Sequence, residues 1–295
     1  MNIMNIMKKC ILIVALLVLG ILVCINNLEN GILFSILSFA FIFIFVKNVK
    51  IKRFSIFLIL FSLIIKIAGV LILKVPINVD YQVMYDASLS ALNGNLSFAK
   101  DTYFATYGYQ LGHVFYQTFA LKIVNSIVFL KILNCIYSTV ITWLIYMILK
   151  KFTKENTARI TSLLYCVSLY PIYLNSVLGN QQLCLMLFLI GIYILLTRKS
   201  TIANCIIIGL LFALGNLERP EGIIYITTLI IYNIITLKNV KLIVKNTASV
   251  IIPYLIVTQL FSFILIKSNV NEIGFKNSDT YWKFLVGFNY EYDGK

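Results

Sequence analysis

Charge is what this chain has least of. Only 12% of its 295 residues are Asp, Glu, Lys or Arg, about half the share of a soluble domain, which excludes a water-soluble globular protein. There is a single histidine, His113, and no second His or Cys stands at ligand spacing from it, which argues against a metal site. The six cysteines (Cys10, Cys24, Cys135, Cys166, Cys184, Cys205) all lie in or beside apolar runs, so no disulfide framework is indicated. Internal repeats of supersecondary size are missing too, which excludes a solenoid.

What the chain does have is apolar length. It is 60% hydrophobic with a mean hydropathy of +0.93, and several runs approach the ~20 residues that cross a bilayer. The sequence therefore predicts an all-α integral membrane protein. The net charge of +14 does not point to nucleic acid, because 15 of the 25 bases fall in five clusters: Lys8/Lys9, Lys47/Lys50/Lys52/Arg53, Lys150/Lys151/Lys154/Arg159, Arg198/Lys199 and Lys238/Lys241/Lys245. Placed in the cytoplasm by the positive-inside rule, these clusters put every acid except Glu155 on the other side. No nucleic-acid partner is expected; membrane lipid is, through the anionic leaflet.

About nine spans fit this pattern, near 10–25, 31–46, 54–74, 131–149, 160–178, 180–197, 201–217, 222–237 and 247–267. The N-terminus is cytoplasmic and residue 295 extracytoplasmic, in a cell membrane. Lys8-Lys9 and the apolar run after them read as an uncleaved signal anchor. The domain reading is an N-terminal hairpin with its basic loop (1–53), a membrane core (54–267) with an external loop 75–113, and an external segment 268–295. Segment 111–130 is apolar enough to span, but counting it would put the later basic clusters outside. Gln110, His113 and Gln117 share one helical face, with Phe115, Phe119 and Ile123 opposite. It is read as an interfacial helix on the outer leaflet, with Lys122 snorkelling.

The chemistry-bearing residues gather at the outer ends of the spans. A helix over 80–93, stopped by Asn93-Gly94-Asn95, puts Met84, Ala87 and Ala91 within about 40° of Asp80. A carboxyl against that apolar face is partly desolvated, which raises its pKa and suits a general base; the plainer alternative is a helix cap. Asp86, about 240° round, makes no glycosidase-like pair with it. Tyr103-Phe104-Ala105-Thr106-Tyr107-Gly108-Tyr109-Gln110-Leu111-Gly112-His113 reads as a sugar-stacking segment or an interfacial aromatic belt. Gly108 and Gly112 there would let the backbone come close to a ligand. In Asn216-Leu217-Glu218-Arg219-Pro220-Glu221-Gly222, Arg219 is either a phosphate clamp or half of a salt bridge with Glu218 or Glu221. Asn180-Gln181-Gln182 meet sugar hydroxyls or cap a helix. Lys66, inside the third span, would need an anionic partner.

Taken together, these stretches resemble the polyprenyl-phosphate-sugar glycosyltransferases of the GT-C superfamily, of the family 39 and aminoarabinose-transferase type. The likeness lies in Asp80…Tyr85…Ala91…Gly94, then Tyr103–Gly112, then Gly209…Ala213…Arg219-Pro220, and Tyr281-Trp282…Gly287, over roughly 54–295. Tyr81 stands where an acid often follows the catalytic Asp, and Gly108 where Pro is usual. The end at Gly294-Lys295 is read as a truncation of a longer member. The resemblance implies a GT-C-like fold and an inverting transfer of sugar from a polyprenyl phosphate to a cell-envelope acceptor. It also implies Asp80 as base, and Tyr85, Tyr103, Tyr107, Gln110, His113, Arg219 and Glu221 at the substrate. No metal and no cofactor beyond the lipid-linked donor are implied. A lipid or glycan flippase, a non-catalytic envelope-assembly protein and an inactive remnant are the alternatives.

Overall fold

The structure, a computed structural model, describes residues 51–77 and 79–278 together with Ala40, 42–44 and Val46. Among these residues every regular element is helical. The α-helices are α1 (Phe54–Leu73), α2 (Val79–Leu92), α3 (Thr102–Thr106), α4 (Leu111–Ile123), α5 (Ile127–Phe152), α6 (Glu155–Val167), α7 (Leu169–Ser176), α8 (Gln181–Thr197), α9 (Ile202–Glu218), α10 (Gly222–Thr236) and α11 (Val240–Lys267). The chain divides into two compact units, Met1–Val75 with Asn134–Ser176 and Pro76–Leu133 with Val177–Lys295.

In the first unit, α1 turns Leu58, Phe61, Ser62, Ile65, Lys66 and Gly69 inward, an i, i+3, i+4 stripe that marks one helical face. The core there joins Leu58, Phe61 and Ile65 to Tyr146, Leu163, Cys166 and Ile172. Ile56, Leu60, Ile64 and Leu71 face outward, exposed, an arrangement that lipid satisfies and water does not. Glu155, the acid that breaks the charge segregation, is neutralised locally. It pairs with Arg159 at 2.6 Å and Lys150 at 3.8 Å.

Among the described residues three helices are long and apolar enough to cross a membrane: α1, α5 and α11. Helices α8, α9 and α10 are apolar but shorter, at 17, 17 and 15 residues. Of the nine expected spans, 10–25 lies outside the described residues, and 31–46 is described only at Ala40, 42–44 and Val46. The expected span 160–178 is not continuous, because the helix ends at Val167 and restarts at Leu169. Pro171 explains the break: its ring clashes with the carbonyl four residues back, that of Val167, and it offers no N–H.

Lys66 has no anionic partner among the described residues, contrary to expectation. Its ammonium donates to the Ser138 carbonyl and to Thr142 Oγ1 at 2.6 Å, and lies over the Tyr165 ring at 5.5 Å. Ser62 Oγ and the Thr142 hydroxyl complete a network in which Thr142 also donates to the Ser138 carbonyl. Neutral acceptors and a ring face share the charge. Because that network survives without the amine, Lys66→Met is expected to keep or raise the melting temperature. Thr142→Val, which strips an acceptor from a buried cation, should cost about 1–3 kcal/mol. Melting of the two variants in the same detergent checks the order, and a larger loss for Lys66→Met would refute it.

In the second unit, α2 lies on α4, and α8, α9 and α11 pack side by side. Small residues set those contacts. A Cβ at Gly209 of α9 would strike the Val250 carbonyl and Pro253 Cγ of α11, while Ala213, one turn on, is fully buried. The Gly209…Ala213 pair therefore serves close helix approach. On α11, Ile252, Ile256, Leu260 and Phe263 face outward. Helix α4, at 13 residues or ~20 Å, is too short to cross ~30 Å of hydrocarbon. It ends at Ile123, earlier than the expected 130, and residues from Ile127 begin α5. His113 and Gln117 are buried and Phe119, Lys122 and Ile123 exposed, whereas Phe115, expected on the same face as Phe119, is half-buried against Phe261 of α11.

Candidate active site

Helix α2 begins at Val79, which makes Asp80 part of its first turn and not its cap. A carboxylate there is favoured by the helix dipole. Asn93-Gly94-Asn95 ends the helix as expected: Gly94 takes φ +80, its N–H reaches the Ala91 carbonyl, and the Asn95 N–H reaches that of Ser90. This bond pair is the Schellman pattern. Met84, Ala87 and Ser88 form the buried face, and Ser88 Oγ meets Gln117 Oε1 of α4 at 3.0 Å. Asp80 itself is exposed, which corrects the expected desolvation; the rest of that face, one and two turns on, turns inward. Tyr81, standing where an acid was expected, accepts from the Gln181 amide at 2.7 Å. That bond ties the first turn of α2 to the start of α8.

The aromatic segment is held from two sides. Phe98, Ala99 and Phe104 pack with Met84 and Ala87, while the chain after α11 grips the outer edge. Asn271, buried, donates its amide to the carbonyls of Ala99 (2.7 Å) and Phe104 (3.0 Å). The Ser278 N–H bonds to Thr106 O, and the Tyr109 N–H to Lys276 O. A Cβ at Gly108 would strike the Gly274 carbonyl. The close approach at Gly108 is thus to another backbone and not to a ligand. Tyr103, Tyr107 and Tyr109 form a ladder with ring centroids 5.4 and 6.1 Å apart.

Burial and the nearby Asp80 carboxylate raise the Tyr103 pKa, against a hydrogen bond with Gln110 that lowers it. Tyr109 is raised by burial, Tyr107 and Asp80, with Arg219 opposing. The charge of Asp80 is thus felt at Tyr103 and Tyr109, and that of Arg219 at Tyr109. Both phenols remain neutral hydrogen-bond donors at physiological pH.

Helix α9 delivers the remaining groups. A Cβ at Gly112 would fall on the Leu217 carbonyl, so the start of α4 lies directly against the end of α9. That contact brings His113 Nδ1 to 2.7 Å from Glu218 Oε2, both residues buried. Asn180 donates to the Glu218 carbonyl at 3.1 Å and to Gln110 Oε1 at 3.4 Å; it makes no side-chain cap bond. Arg219 Nε binds Glu221 Oε1 at 2.5 Å, and no other guanidinium nitrogen has a partner among the described residues. The salt bridge expected for Arg219 is therefore with Glu221. Asn216 Oδ1 accepts from the Gly222 N–H and secures the turn.

Of the residues expected at the substrate, Tyr103 meets Tyr107 and hydrogen-bonds Gln110. Gln110 and His113 join the α9 end through Asn180 and Glu218, and Arg219 pairs with Glu221. Among the described residues, Asp80 reaches this set only through its charge at Tyr103 and Tyr109. Tyr85 does not join them. About 140° round the helix from Asp80, it packs with Ile77, Leu89 and Leu92 against Ala120, Leu121 and Leu178. Tyr281, Trp282 and Gly287 lie outside the described residues. Sequence reasoning missed Asn271, the pairing of His113 with Glu218, and a pocket of about 330 Å³ lined by Asp86, Asp101, Phe98, Tyr103 and Phe104. Nothing in the local pattern around Asn271 marked it.

The all-helical fold is consistent with a membrane glycosyltransferase of the GT-C type, and the family match shows that class. The chain belongs to the dolichyl-phosphate-mannose-protein mannosyltransferase family, whose model matches residues 111–266, just over half of it. The match takes in His113, Asn180, Glu218 and Arg219 and begins after the Asp80 loop. No curated protein and no solved structure matches the chain.

Proposed function

We propose that this glycosyltransferase moves a sugar from a polyprenyl phosphate to a hydroxyl of a cell-envelope acceptor, on the extracytoplasmic side and with inversion. Asp80 takes the acceptor's proton as its oxygen attacks the anomeric carbon. Arg219, oriented by Glu221, holds the departing phosphate where charge develops. Tyr103, Tyr107 and Gln110 contact the sugar. The observation that carries the reading is the family match over residues 111–266, which takes in Arg219; the opposing influences of Asp80 and Arg219 on Tyr109 support it. A flippase would instead gather polar groups at mid-depth; Lys66 is held there by neutral partners of its own unit.

The test is turnover of a polyprenyl-phosphate sugar by the purified chain in liposomes, with product anomeric configuration read by NMR. Absence of transfer from any such donor, or a retained configuration, counts against it. Sidedness has its own check. Asn93→Cys, on the exposed turn after α2, should react with a membrane-impermeant maleimide in intact cells, and Lys151→Cys only after lysis. The reverse pattern would place Asp80 on the cytoplasmic flank.

A further inference from the structure

Two buried side-chain atoms near the end of α9 have no hydrogen-bond partner among the described residues: His113 Nε2 and Asn180 Oδ1. Their residues are only 2% and 3% exposed, and each is fastened to Glu218, the histidine to its carboxylate and the asparagine to its carbonyl. An orphaned polar atom in such a place is destabilising, a cost offset when a ligand supplies the missing partner. The other end of the imidazole is not free to turn and find one. Glu218 Oε2 holds Nδ1 at 2.7 Å, Tyr116 lies beside the ring with centroids 5.8 Å apart, and Gly112 pins the helix start against Leu217.

Resting on the transferase reading above, we propose that Glu218 is a positioning residue. It fixes His113 with Nδ1–H donated to the carboxylate, so that Nε2–H is presented to a phosphate oxygen of the lipid-linked donor. The arrangement requires a proton on each ring nitrogen, which makes the second N–H a charge-assisted donor. An anionic oxygen is the acceptor that satisfies such a donor best, and the bond strengthens as the sugar–oxygen bond breaks and negative charge collects on the phosphate. The proton stays on His113 throughout; the proton released by the acceptor goes to Asp80. Arg219 follows Glu218 directly in the chain and closes α9, so one helix end supplies both the clamp and the residue that aims the histidine.

Because His113 is the chain's one histidine, labelling with 15N-histidine gives a single imidazole to observe. In lipid nanodiscs with polyprenyl phosphate bound, both ring nitrogens should be protonated. Polyprenyl phosphate should shift the Nε2 resonance, whereas the polyprenol of equal length should not. Glu218→Gln should alter the Nδ1 resonance, weaken the response to polyprenyl phosphate, and lower kcat about 10- to 100-fold with KM changed less than threefold; Glu218→Asp should recover part of kcat. A purely structural role would instead lower the melting temperature and leave the Nε2 response of the folded fraction intact. An unprotonated Nε2, or equal responses to phosphate and polyprenol, overturns the assignment. If the wild type transfers sugar from a polyprenyl phosphate while Nε2 stays silent, only the role of Glu218 falls. If it neither transfers nor binds polyprenyl phosphate, the transferase reading falls with it.

Discussion

Asp80→Asn is expected to lower the transfer rate by a factor of about 10²–10⁴, the range of a positioned general base, while leaving donor binding within a few-fold of wild type. The amide keeps the size of the side chain and can still accept a hydrogen bond, but it cannot take a proton. Structural damage is a poor alternative explanation, because Asp80 is exposed and, among the described residues, no hydrogen bond to its side chain holds the fold together. Loss of its charge should also relax the upward push on Tyr103 and Tyr109, a change visible in an ultraviolet titration of the phenols. The measurement is single-turnover transfer with saturating donor, which separates chemistry from binding. Retention of more than a tenth of wild-type rate would remove Asp80 from the mechanism and leave its place in the first turn of α2 as a dipole effect alone.

Gly112→Ala is expected to cost as much by another route. In a helix interior this substitution ordinarily gains about 0.5–1 kcal/mol. Here the added methyl would lie on the backbone carbonyl of Leu217, which cannot rotate aside as a side chain could. Helix α4 must move away from α9, and overpacking of this kind costs about 1–3 kcal/mol. The displacement falls where His113 meets Glu218 and where Gln110 meets Asn180. A shift near 1 Å in such a contact is enough to lower activity about 100-fold. The expected result is a chain that still folds but melts earlier and transfers about 100-fold more slowly. Gly94→Ala is the comparison: its Cβ meets nothing within 4 Å, so it should carry only the strain of φ +80 and little loss of rate. Equal rates for Gly112→Ala and wild type would show that the contact does not position the site.

Which parts were legible beforehand follows from the range over which each signal acts. Helix α2 and its stop were readable because Asn93-Gly94-Asn95 and the apolar spacing of Met84, Ala87 and Ala91 act within a few residues. The two faces of α4 were readable for the same reason. Its Phe119 and Ile123 are exposed and its His113 and Gln117 buried, as an interfacial helix requires, because lipid replaces water outside and polar groups find partners inside. What the pattern did not show is that Phe115 of the same stripe packs against Phe261 of α11. The desolvation expected at Asp80 failed because a helical face is not uniformly buried: it meets its neighbour only from Met84 onward.

The sequence by itself determined the solvent and the element type. Sparse charge and long apolar runs commit the chain to lipid, and there the backbone must satisfy itself in helices. It also singled out Gln110, His113, Arg219 and Glu221, which pair near the α9 end, since polar groups set between apolar helices are too costly to be incidental. Tertiary structure alone decided who pairs with whom: His113 with Glu218 across 105 positions, Asn271 with Ala99 and Phe104, Arg219 with Glu221, and Lys66 with a carbonyl and a hydroxyl. Those choices depend on which helices approach closely, and approach is permitted by missing side chains at Gly108, Gly112 and Gly209. A glycine tells where a backbone can come near, but only the folded chain shows which backbone arrives.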